Sequence, residues 1–152
     1  MSQTIKNLEA AFAGESQAYA KYLYFGRLAD ELGQYKIADH FYQTAEQEIK
    51  HAHSHLQLLI GEPDILECIQ MAIDGETYEY TVMYPEMEQQ AIHEGRELDA
   101  KEAHEQARES KIHADEFREL LEMATKRFGA LARIEQKHAE GYRRLQEAAN
   151  EE

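Results

Sequence analysis

Apolar residues recur every three or four positions along almost all of this 152-residue chain, the period of a helix that buries one face. The first run, Thr4 to Leu32, sets Ile5, Leu8, Ala11, Phe12, Tyr19, Tyr22, Leu23 and Phe25 on one stripe, and Gly33 ends it. A second run spans Tyr35 to Ile60 and closes at Gly61-Glu62-Pro63. Asp64 with Glu67 reads as a capping box that starts a third helix, which ends at Gly95. Gly75 and Pro85 interrupt that third stretch, and Pro85 predicts a kink because it removes a backbone donor. From Arg96 onward the helical pattern has no clear stop before Gly129. The expectation is an all-α chain of four rods, a helical bundle with an extended C-terminal segment.

Several charged or basic residues fall inside these apolar stripes. Glu15 lies level with Leu8 and Tyr22 at seven-residue steps. Phe41, Thr44, Glu48, His51, His55 and Leu58 follow one face of the second helix, whereas His53 points elsewhere. Glu76 and Glu79 sit three apart with Met83 continuing their face, and Glu135 with His138 forms another Glu-x-x-His pair. Residues at that spacing share a helix face about one turn apart. The spacing alone is weak, because a chain with eight His and many Glu yields about one such pair by chance. A stripe-edge Glu whose carboxylate reaches back to water competes with an inward role for Glu15, and His55 reads as an ordinary polar residue ahead of a group supporting the ligands.

The C-terminal half contains a repeat. ESKIHADEFRELLEMA, from Glu109, aligns with IEQKHAEGYRRLQEAA, from Ile134, at an offset of 25 residues. His113 matches His138, Phe117 matches Tyr142, Arg118 matches Arg143 and Leu120 matches Leu145, while Ser110 stands where the later copy has Glu135. Twenty-five residues is close to a whole number of turns, so both copies face the same way on an unbroken helix. The domain expectation is a single one over 1–152, with this extra helical stretch around 97–128.

Composition changes the picture in three ways. A net charge of −14 argues against nucleic acid and anionic membranes. The single cysteine, Cys68, allows neither an internal disulfide nor a Cys-x-x-Cys metal pair. No stretch reads as a membrane span and MSQTIKNLEA lacks a leader pattern, so a cytoplasmic location is the expectation. The inward candidates are then Glu15, Glu48, His51, Glu76, Glu79, Glu135 and His138. Buried carboxylates repel unless protonated or neutralised, and an oxygen-rich set with two imidazoles suits two iron or manganese ions better than zinc.

FAGESQAYAKYLYF around Glu15, AEQEIKHA around Glu48 and His51, GETYEYTVMYP around Glu76 and Glu79, and RFGALARIEQKHAEGYRRL around Glu135 and His138 together resemble the rubrerythrin family of ferritin-like proteins. The Met-Tyr-Pro after the carboxylate pair is the most specific match, and the likeness covers all but about 25 residues of the chain. The resemblance implies a ferritin-like four-helix bundle holding two non-haem iron ions, with Mn or mixed Fe/Mn as variants, that reduces hydrogen peroxide in oxidative-stress defence. It assigns Glu48 and Glu135 as bridges, and Tyr22 and Tyr84 as tyrosines that hydrogen-bond around the centre. Lacking Cys-x-x-Cys pairs, the sequence has no rubredoxin-like domain, so an external rubredoxin-like or other redox protein is expected as electron donor. Because Ser110 cannot bridge cations as a carboxylate can, the later copy is expected to supply the fourth-helix ligands, crossing into a neighbour in a helix-swapped homodimer. Ferroxidase or iron-handling activity, and a non-enzymatic helical assembly module, are the alternatives.

Overall fold

The computed structural model describes residues 2–149, and they are helical with no strand among them. Helix α1 spans Gln3–Glu31, α2 Tyr35–Ile60, α3 Ile65–Tyr78, α4 Tyr84–His93 and α5 Glu97–Ala149. A π-helical turn, Glu79–Met83, joins α3 to α4, so these two form one rod. By their packing the residues divide into two units, 1–63 and 64–152.

The first unit is the α1–α2 hairpin. Leu28 to Gln34 close α1 with the two backbone bonds of a glycine-terminated helix: Gly33 N–H to Asp30 at 2.9 Å and Gln34 N–H to Ala29 at 2.8 Å. Gly33 takes φ +70°, a conformation that a side chain disfavours. The helices meet through small residues. Ala38, Ala45 and Ala52, one every second turn of α2, are fully buried, opposite the buried Gly26 and Ala29 of α1. A Cβ at Gly26 would overlap the Tyr42 ring, whose hydroxyl donates to Asp30 at 2.8 Å. Small residues on the seam let the two backbones approach closely and leave the larger apolar groups on the flanks.

The second unit packs the bent α3–α4 rod antiparallel to α5. Asp64 accepts from Leu66 and Glu67 N–H while the Glu67 carboxylate accepts from Asp64 N–H, the reciprocal cap predicted for α3. Where the sequence predicts a kink at Pro85, the chain forms the π turn. Tyr84 N–H bonds to Glu79 C=O, five residues back, just before the proline that has no N–H to offer. Gly75, the other predicted breaker, lies inside α3 with open space around it and no break. Arg118 of α5 donates to Thr77 Oγ1 at 2.9 Å, and His104 pairs with Glu88 at 3.1 Å, tying α5 to α3 and α4. Helix α5 continues unbroken through Gly129 and Gly141, so the two repeat copies lie in line on it. The Leu145 side chain falls outside the described ones. Among the described residues, no helix is long and apolar enough to cross a membrane.

Candidate metal centre

A helical hairpin brings level those residues that lie equally far from its turn. Glu15 is 18 residues before Gly33 and His51 is 18 after it, with Glu48 one turn nearer. The three meet across α1 and α2. Their donor atoms all lie within 4.8 Å of one another, and they are the one group of three such donors this close among the described residues. Glu48 Oε2 stands 3.2 Å from His51 Nδ1, and Glu15 Oε2 4.0 Å from the same nitrogen. Glu48 is the most sheltered, its side chain 19% exposed, while the His51 ring is 59% exposed. A hydrogen bond to the Glu48 carboxyl, then burial and the Glu48 charge, hold the Glu15 proton above the ordinary glutamate range, while His51 and His55 pull the other way. Two carboxyl groups crowded so that one binds its proton more tightly are a place where a cation can relieve the repulsion. His55 is half-buried on the same α2 face, and its Nδ1 is buried without a partner.

The same arithmetic works about Gly95. Glu79 lies 16 residues before it and Ser110 15 after; Glu76 lies 19 before and His113 18 after. His113 Nδ1 approaches Glu76 Oε2 to 3.5 Å, too far for a hydrogen bond, and that oxygen is buried and unpartnered. Ser110 Oγ donates to Glu79 Oε2 at 2.9 Å. Glu76, His113, Glu116, Phe117 and Leu120 line a cleft of about 420 Å³. An orphaned carboxylate oxygen facing an imidazole is an arrangement that a cation would satisfy.

The remaining expected pair does not join this group. Glu135 and His138 are exposed on α5, about 38 Å farther along the helix than Ser110 and His113 at 1.5 Å per residue. His138 lines a shallow depression only with Lys137, Gly141 and Tyr142 of its own helix. Tyr22 packs its ring 6.0 Å from Phe41 in the first unit. Tyr84 follows the π turn in the second, and burial, then the Glu79 and Glu76 charges, raise its hydroxyl above the usual tyrosine value. The role of Ser110 is what the search for charged donors passes over, since a neutral hydroxyl carries no sequence signal of its own.

The family model described as Rubrerythrin matches residues 6–121, most of the chain and both clusters. The chain belongs to the rubrerythrin family. That match ends before Glu135 and His138, so it covers most of the earlier copy of the repeat and none of the later one. A rubrerythrin of Nitratidesulfovibrio vulgaris is 39% identical over 109 residues, 63% of this chain and 57% of that protein. One from Porphyromonas gingivalis is 36% identical over 107 residues, 62% of this chain and 54% of its own length. The chain thus spans little more than half the length of these curated rubrerythrins. A solved nigerythrin in its fully reduced, all-ferrous state overlays with TM-score 0.40 at 27% identity, over 80% of this chain and 67% of that one. Membership rests on the sequence matches. Rubrerythrins are ferritin-like di-iron proteins, and this one carries candidate metal ligands in Glu15, Glu48 and His51.

Proposed function

We propose that this rubrerythrin is a non-haem di-iron protein that reduces hydrogen peroxide to water in the cytoplasm, drawing electrons from a separate redox protein of rubredoxin type. The observation that carries the reading is the convergence of Glu15, Glu48 and His51, a hard oxygen and nitrogen set that matches iron or manganese. Iron ions, or manganese in place of one, would be held by these three and by Glu76, Glu79 and His113. Bound there, reduced metal supplies the two electrons that, with two protons, turn peroxide into two waters. The chain's own part is to bind and to place protons. Tyr84, like any tyrosine, keeps its proton at neutral pH, and burial, then the Glu79 and Glu76 charges, oppose the phenolate further, so its hydroxyl stays a donor. Tyr22, ring-packed on Phe41, is the matching hydroxyl of the first unit.

Reduced, metal-loaded protein mixed anaerobically with peroxide is expected to oxidise in a single phase with one equivalent, faster than it does with dioxygen. An equal or slower rate with peroxide counts against the proposal. His113 is proposed as the nitrogen ligand beside Glu76 because of their approach. His113→Ala losing one metal while Glu135→Ala and His138→Ala keep both supports that choice; the reverse pattern gives the role to the later copy. The exposure of His51 favours a second reading, ferroxidase activity, since an open imidazole lets ions come and go. Oxidation of many more than two Fe(II) per chain would select it.

A further inference from the structure

Ser110 is the one buried polar residue among the described residues, 4% exposed among the alanines of α5. Hydroxyls on the interior of a helix usually bond back to the carbonyl four residues upstream. Ser16, Thr44, Ser54, Thr81 and Thr125 all do so here. Ser110 does not. Its hydroxyl crosses to the α3–α4 rod and donates to Glu79 Oε2 at 2.9 Å. A donor given to a carboxylate is a stronger bond than one given to a peptide carbonyl, and the burial of Ser110 shields it from competing water. The hydroxyl also occupies one oxygen of Glu79, and it is neutral where the later repeat copy has the acid Glu135.

We propose that Ser110 is a positioning residue for metal capture: it holds Glu79 by one oxygen beside Glu76 and His113. Among the described residues only Glu15, Glu48 and His51 already gather three donor atoms within 4.8 Å of one another, so Glu76–Glu79–His113 takes its ion after, and more weakly than, that set. The inference rests on the metal-binding reading above, and it concerns the order and strength of loading rather than the reaction.

The test is a Co(II) titration of the metal-free full chain, followed by calorimetry and by the visible bands of the bound ion. Wild type is expected to load in two steps. Ser110→Ala should weaken the second step about 10- to 100-fold, the usual effect of removing a group that orients a ligand, and shift its bands while the first step stays put. Ser110→Thr, which keeps the hydroxyl, should restore the second step. In a Glu79→Gln background, Ser110→Ala should add nothing further, because the two act as one unit. Thermal unfolding of the metal-free variants separates the idea from a packing role, which would move melting without singling out the second step. Two normal steps in Ser110→Ala, or additive losses in the double variant, overturn the inference while metal binding stands. A wild-type chain that takes up no cobalt sinks the metal reading as well.

Discussion

The neighbouring Glu48 carboxyl raises the proton affinity of Glu15, and this has a sign that can be measured. A raised folded value means that the contribution to stability is full below the ordinary glutamate value of 4.5 and is lost as pH climbs through the folded value. In chelator, Glu15→Gln should therefore gain on wild type as pH rises from the acid range to neutral, read by chemical denaturation at several pH values. A gap that stays flat with pH speaks against the raised proton affinity. With metal the order inverts: Glu48→Gln, which removes a ligand and its charge, should abolish the melting shift that the ion confers on wild type. Glu15, Glu48 and His51 were legible in the sequence because each is a polar residue on an otherwise apolar stripe. Ser110 was legible only as a missing acid. Its bond to Glu79 depends on two helices lying side by side, and no single-helix pattern contains that.

At the scale of elements, helix limits followed from caps and glycines, and the second helix runs over Tyr35–Ile60 as its pattern predicts. The choice between the two repeat copies did not follow from periodicity. An offset of 25 residues returns to nearly the same face, so both copies look alike on a helical wheel. Distance from the Gly95 turn separates them, because antiparallel rods pair residues equally far from their loop, and that places Ser110 and His113 beside Glu79 and Glu76. The hairpin seam of the first unit offers its own test. Gly26→Ala should cost about 1–3 kcal/mol, the usual penalty of forcing a methyl group into filled space, since the Tyr42 ring stands there. Thermal or urea unfolding of the metal-free chain reads it, and an unchanged midpoint would show that the ring swings aside freely.

Across the whole molecule, the side chains completely removed from water among the described residues are alanines, while Phe25, Leu28, Leu58, Leu120, Phe128 and Leu131 remain exposed. An isolated chain with so much apolar surface outside is expected to associate. Sedimentation should show a homo-oligomer, and because each chain carries a net charge of −14, association should strengthen as salt screens the repulsion. A monomer at all salt concentrations contradicts this. Bound metal should raise the melting temperature of whatever assembly forms, by about 2.7 kcal/mol of stability at a hundredfold excess over the dissociation constant.

The π turn at Glu79–Met83 has one more effect, on phase. It places an extra residue in the rod between the carboxylates of α3 and the α4 residues Glu88 and Ala91 that face α5. Deleting Val82 would let the rod wind as a plain α-helix and rotate everything on one side of the cut by about 100°. Glu76 would then look toward the cleft, and Glu79 toward Ser110, only if Glu88 turned away from His104, or the reverse. A single wide turn thus lets one continuous rod point its acids and its packing face in directions that a regular helix would set in conflict.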